Sequence, residues 1–288
     1  MDVTGHLARD VHTLGSIGPR NLRDEARFER LARAASYVSE RFGELGYVPA
    51  IDRFKVERDV ERGGERQREV DVLVAEHRGD SAAHRTLVVS ARYDTLGGSF
   101  GGSLGAAKGA TGVAVLLALA ARLRGRALAR SVRLVAFPSE ERSSTGTDDT
   151  CSRAYARRCR ERGDCIDGMV AIESVGRIFG PSRLLDFFAV VSNFRSRELA
   201  TRLHDALGPH PRVRARRVVL PGFLPLAKSS DHWSFLQEGW PAVMLTDGAL
   251  LRERVSSHTH VPAWNFDRLG SVANAVCDAV IRLAAEAR

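Results

Sequence analysis

Lysine is almost missing from this chain. Of its 43 basic residues only Lys55, Lys108 and Lys228 are lysine, so arginine meets nearly every need for positive charge. A lysine set among glycines and alanines, as Lys108 is in GAAKGATG, is therefore not explained by generic solubility. Cysteine is sparse as well. Cys151, Cys159, Cys165 and Cys277 form neither a C-x-x-C nor a paired metal spacing. That argues for reduced thiols rather than a disulfide framework or zinc knuckle, with a Cys159–Cys165 pairing across a helix end left open. No apolar run reaches the roughly 18 residues that a membrane span needs, and the opening MDVTGHLARDVHTLG lacks a basic stretch followed by an apolar one. A soluble cytoplasmic protein without a membrane partner is the expectation. No proline- or serine-rich linker, low-complexity tract or internal repeat divides the 288 residues, so one domain over residues 1–288 is expected.

An aromatic-interleaved basic stripe is also lacking. The formal charge of +8 is assembled from arginines scattered among acids, as in ARFERLARAASYVSERF and CSRAYARRCRERGD. Such segments read as solvated helix faces, and no nucleic-acid partner is expected.

What is present is an alternation of short apolar runs and helical stretches. Residues 24–45 carry Phe28, Leu31, Ala34, Val38, Phe42 and Leu45 at helical spacing and stop at Gly46. IDRFKVERDV and REVDVLVAEHRG, separated by ERGGERQ, read as an antiparallel pair at a sheet edge. After them TLVVSARY, VRLVAFPS, GMVAIESVG, FFAVVSN and PAVMLTDG alternate with helices such as TGVAVLLALAARLR, RSRELATRLHDAL and a closing helix from Asp267. Unbroken β-branched runs between helices indicate strands covered on both faces. The expected fold is a three-layer α/β/α sandwich with a mostly parallel central sheet and an antiparallel edge.

Charged residues then recur at one place on that sheet. Arg92 and Asp94 follow TLVVSA, Glu140 and Glu141 follow VRLVAFPS, Glu173 follows MVAI, and Asp247 follows AVMLT. All lie at or just past the carboxyl ends of strands, where open α/β sheets bind ligands.

These segments resemble the bacterial leucyl aminopeptidase and glutaminyl cyclase family of zinc exopeptidases, in its aminopeptidase-like branch. TLVVSARYDT is similar to that family's strand ending in H-Y-D-T, GAAKGATGVAVLLALA to its G-A-D-D-N-A-S-G-V-A loop and helix, and VRLVAFPSEE to its F-x-A-F-x-x-E-E. GTDDTCSRAYA, MVAIESVGR, KSSDHWSF, PAVMLTDG and SHTHVPAWNFDRL resemble further segments in order, the last with a few residues deleted. The resemblance implies a two-zinc site with a bridging aspartate. Carried over position by position, Glu141, Glu173 and His258 keep ligand-type residues, Glu140 matches the general base, and Asp94 matches the acid that orients a ligand histidine. The histidine itself is Arg92, and the bridging aspartate is Lys108.

Those two changes are not neutral for a metal. Zinc needs lone pairs, which a guanidinium does not offer, and an ammonium beside a dication brings like charge into the site. Charge counting points the same way, since Arg92 and Lys108 supply two positive charges where Glu141 and Glu173 supply two negative ones. The expectation is a site without a metal cofactor in which Arg92 and Lys108 pair with Glu141 or Glu173. The function expected is a pseudo-peptidase that binds a small peptide or amino-acid-like ligand. Asp231, His232, Trp233 and Asp247 are the candidate contacts, although Asp231 and His232 could equally brace a helix start. The alternatives are a metal-independent enzyme with Glu140 as acid or base beside Arg92 and Lys108, and a residual metallo-aminopeptidase. Composition gives no oligomeric state.

Overall fold

In the computed structural model the described residues are 3–60, 64–80, 85–95, 103–138, 150–173, 175–176, 187–208, 210, 212–247 and 265–286. At 3–4, 57–60, 64–67, 103–108 and 225–226 only the backbone is described. Eight strands form one sheet: β1 (Ala50–Val60), β2 (Gly64–His77), β3 (Thr86–Arg92), β4 (Ser131–Phe137), β5 (Ile166–Ile172), β6 (Phe188–Ser192), β7 (Ala215–Val219) and β8 (Ala242–Thr246). Their spatial order is β1-β2-β4-β3-β5-β8-β6-β7. The four central strands β4, β3, β5 and β8 run parallel. Strands β3, β5 and β8 are buried almost throughout, as strands covered on both faces must be, and so is the neighbouring β6.

Two neighbouring residues show the layers. Successive strand side chains point to opposite faces. Ala91 meets Gly112 of α3 (Ser103–Leu123), where an added Cβ would lie 3.4 Å from that of Ala91. Ser90, one residue earlier, sends its hydroxyl toward Asp231 at the start of α6 (His232–Gln237) on the other face. On the α3 side lie α1 (Val3–Ser16), α2 (Glu25–Glu44), α5 (Arg197–Leu207) and the closing α7 (Phe266–Ala285), packed through α3 and the sheet. On the α6 side lies α4 (Cys151–Glu161), with Tyr155 stacked between Phe137 of β4 and Phe235 of α6 at centroid distances of 5.6 and 6.4 Å.

Local signals account for the helix limits. Asp24 accepts from the Arg27 amide at 2.8 Å and starts α2, a cap worth about 1 kcal/mol. Gly46, at φ 82°, turns the chain out of the helix in a conformation that a side chain would oppose. Asn265 caps α7 in the same way, accepting from the Arg268 amide.

Three features were not anticipated from the sequence. Helix α1 carries Leu7, Val11 and Leu14 into the core, and Asp10 anchors it by accepting from Tyr37 at 2.7 Å and from Arg41 at 2.9 Å. Antiparallel pairing is not confined to β1 and β2, since β6 also runs antiparallel to β8. Strand β7, ARRVV, closes the far edge with Arg216, Arg217 and Val219 exposed. An edge strand wet on one side needs no apolar run, so β7 left no periodic trace.

Candidate functional site at the carboxyl ends of the central strands

Because β4, β3, β5 and β8 are parallel, the segments that follow them emerge at one end of the sheet. Arg92, the last residue of β3, opens that end. Its guanidinium forms a two-point pair with Asp94, Nε to Oδ1 at 3.2 Å and Nη2 to Oδ2 at 3.0 Å. Both side chains are withdrawn from water, 11% exposed for Arg92 and 2% for Asp94. A fork of parallel N–H···O bonds at low exposure fixes the guanidinium in plane and position. The charge count from the sequence had matched Arg92 to Glu141 or Glu173, and the structure adds Asp94 as its partner.

Behind Asp94 stands a second arginine that sequence reasoning missed. Arg20 is fully buried. Its Nε donates to the Tyr93 carbonyl at 2.5 Å, and its Nη1 donates to the carbonyls of Leu14 and Gly18 at 2.8 and 3.1 Å. Burial lowers the Arg20 pKa to about 10, and the negative charge of Asp94 opposes that fall. The main chains are stitched as well, the Arg20 amide donating to Thr95 Oγ1 and the Thr95 amide to the Arg20 carbonyl. Asp94 thus lies in the field of two guanidinium groups. In the sequence, PRNLRDE offered only a polar connection.

Helix α3 comes unusually close to this strand end. A Cβ on Gly109 would fall 2.2 Å from the Asp94 carbonyl oxygen and 3.0 Å from that of Arg92. A Cβ on Gly112 would fall 2.8 Å from the Ile172 carbonyl oxygen. Glycine at both positions is what lets the helix backbone rest on the strand ends. Lys108 immediately precedes Gly109, so its backbone sits beside Arg92 and Asp94, while its side chain lies outside the described residues. Thr111 adds a tie, accepting from the Val175 amide at 3.3 Å.

Glu173 follows β5, partly buried, with its amide donating to the Leu245 carbonyl of β8 at 2.9 Å. Asp247 follows β8 and is 1% exposed. Asp231 and His232 are equally buried, and Asp231 Oδ2 lies 3.4 Å from Ser90 Oγ. Asp231 precedes α6 without a side-chain cap bond, so its described contact is to the sheet and not to the helix start. Ser234 holds α6 to α4 through Ser152 at 2.9 Å, and Arg153 adds a 2.7 Å pair with Glu238. Trp233 alone of the four candidate contacts is partly open. Gly222 crosses the edge of its ring, and the Lys228 ammonium lies 5.3 Å from a ring centroid. Glu140, Glu141 and His258 lie outside the described residues.

With this arrangement in view, the model of peptidase family M28 matches residues 72–282. The chain belongs to peptidase family M28. In Escherichia coli (strain K12) the uncharacterized protein YfbL is 29% identical over 185 residues, 58% of this chain and 55% of that relative, so the match spans little more than half of the relative's length. Among solved structures, the M28 chain is similar to BSAP, a zinc aminopeptidase from Bacillus subtilis, with TM-score 0.75 and 14% identity over 98% of this chain and 95% of that one. The Macrostomum lignano glutaminyl cyclase gives TM-score 0.72 and 17% identity over 97% and 89%. The LapA aminopeptidase of Legionella pneumophila gives 0.70 and 16% over 99% and 73%. At these identities the structures establish the fold of the M28 chain.

Of the five positions that the family resemblance assigns to a zinc pair, two carry residues unsuited to that metal, and Glu141 and His258 lie outside the described residues. At the histidine position stands a guanidinium, and the carboxylate matching that histidine's orienting acid is bound to it through both oxygens. At the bridging position stands Lys108. Neither side chain has a lone pair to give at neutral pH. None of the four cysteines forms a disulfide, and burial pushes the Cys159 thiol up to about 11.

Proposed function

We propose that this M28-fold chain binds a small peptide or amino-acid-like ligand at the carboxyl ends of its central strands and is not a zinc peptidase. The observation that carries the reading is the Arg92–Asp94 fork. An orienting carboxylate committed to a guanidinium cannot also aim an imidazole at a metal. A ligand site decaying without compensation would leave buried acids uncompensated, at a cost of about 3–5 kcal/mol for each broken buried pair. Here the cation has been matched to the acid already present. The fold still presents polar groups from several strands at one end, and Trp233 offers a partly open aromatic wall. A rigid cation at such a site suits recognition of carboxylate or carbonyl groups.

The test joins turnover and binding in one preparation. Leucine 4-nitroanilide hydrolysis is followed with and without added zinc, and thermal stability is followed with added trialanine and free leucine. The expected result is no zinc-stimulated hydrolysis together with a rise in Tm on adding one of the two, since a ligand that binds only the folded state stabilises it. Hydrolysis that zinc stimulates and a chelator abolishes would overturn the reading.

A further inference from the structure

We infer a second binding site at the far edge of the sheet, a cationic cavity between β7 and α5 that takes a small phosphate ester with a compact apolar portion. The cavity holds about 530 Å³, within the range of small-molecule sites. Arg197, Ala200 and His204 approach it from α5, and Ala215, Arg216 and Arg217 approach it from β7. Positions 197, 200 and 204 recur at helical spacing on one face of α5. Positions 215 and 217 share one face of β7, and Arg217 Nη1 donates to Thr201 Oγ1 of α5 at 2.5 Å, which directs that face toward the helix. The two alanines leave the space, and Arg197 and Arg217 flank it from the helix and the strand, while the side chain of Arg216 alternates to the other face of β7.

Charge and shape together select the ligand. Among the described residues the lining brings Arg197 from α5, Arg217 from β7 and the histidine His204 to the space and contains no acid. The acids beside it in sequence, Glu198 and Asp205, are not part of the lining, and Asp205 takes His204 Nδ1 at 3.0 Å. Arg216 is held over the Phe187 ring at 5.3 Å. A dianionic oxyanion can meet the guanidinium forks of Arg197 and Arg217 together, while Ala200, Ala215 and Val219 offer an apolar surface for a small hydrocarbon portion. Arginines on an edge strand also deter edge-to-edge pairing. That role accounts for Arg216 and Arg217, but it gives no reason for Arg197 and His204 to face the same space from a helix, nor for small residues on both walls. The site is separate from the one at the ends of β3 and β5. In the sheet order β7 lies four strands from β3, roughly 20 Å at ordinary strand spacing.

The test titrates the full chain with phenyl phosphate and with inorganic phosphate by calorimetry at low salt. Wild-type protein should bind phenyl phosphate more tightly than inorganic phosphate. Arg197→Ala and Arg217→Ala should each weaken phenyl phosphate by about tenfold or more, and Ala215→Leu, which fills the cavity and keeps every arginine, should do the same. Arg212→Ala, an exposed arginine outside the lining, should leave binding unchanged. Unfolding midpoints within a few degrees of wild type qualify each variant, and Ala215→Ser replaces the leucine variant if it does not fold, with a smaller loss expected. Absent binding, equal affinity for both phosphates, or binding that the lining variants leave intact would each overturn the site.

Discussion

Arg92 and Arg217 are the same residue type on the same sheet, and their surroundings make them different objects. Arg92 sits at the end of a central strand, 11% exposed, forked onto an acid that is itself 2% exposed and faces a second buried arginine. Arg217 sits on the edge strand, exposed, with a threonine hydroxyl as its described hydrogen-bond partner. In the first place the charge is spent inside the protein, because a desolvated guanidinium must be compensated where it lies. In the second, water compensates the charge at no structural cost, so the cation remains available to a ligand. An arginine count reports neither state, and burial together with the partner's identity decides it.

The comparison breaks most visibly at Asp94. Asp94→Ala leaves two low-exposure guanidinium groups without their shared acid and is expected to destabilise the fold by about 3–5 kcal/mol, read from the urea midpoint. Arg92→Met in the same chain should recover part of that loss, because the two positions interact and their effects do not add. Additive losses would mean that the fork contributes nothing to the fold.

An intermediate case sharpens the scale. Asp164 joins Arg133 of β4 at 2.5 Å and Arg162 at 3.0 Å, with 15% of its side chain exposed. Burial alone would raise its pKa, but the hydrogen bonds from Arg162 and Arg133 prevail and hold it below the ordinary value. A carboxylate with a depressed folded pKa contributes stability above its unfolded value near 3.8, and that contribution is lost as pH falls through the folded value. Asp164→Asn should therefore cost about 1–3 kcal/mol at neutral pH, with the gap to wild type closing below pH 3.8. A gap that widens in acid would contradict the assignment. At the small end, Arg217→Ala should change stability by no more than about 0.5 kcal/mol, whatever it does to anion binding. Thiol labelling gives a last check on burial. Cys165 is exposed and should react first, while Cys159, buried and shifted up to about 11, should wait for unfolding.

Much of this was legible in the sequence, and the exceptions have physical reasons. The central strands announced themselves because burial on both faces demands unbroken apolar runs, as in TLVVSA and MVAI. Strand β7 did not, because its edge position allows arginine at alternate and even adjacent positions. The place of Arg92 at a strand end followed from pattern, whereas its pairing with Asp94 did not. A two-residue spacing across a strand end has no fixed geometry until the chain beyond is stitched down, here by Arg20 and Thr95. Arg20 left no trace at all, since a buried arginine satisfied by backbone carbonyls has no sequence-local partner. The close approach of α3 was half legible. The glycines of GAAKGATG were visible, but only the fold shows that Gly109 and Gly112 are what carry Lys108 to the strand ends.

Whether paired charge stands where relatives would hold a metal is decided by zinc content. Wild-type protein and the Arg92→His, Lys108→Asp double variant are loaded with zinc, dialysed against a mild chelator and analysed side by side by mass spectrometry. Restoring an imidazole and a bridging carboxylate returns lone pairs to both positions. No stoichiometric zinc is expected in wild type, and retained zinc is expected in the double variant. Stoichiometric zinc surviving dialysis in the wild-type protein would contradict that reading.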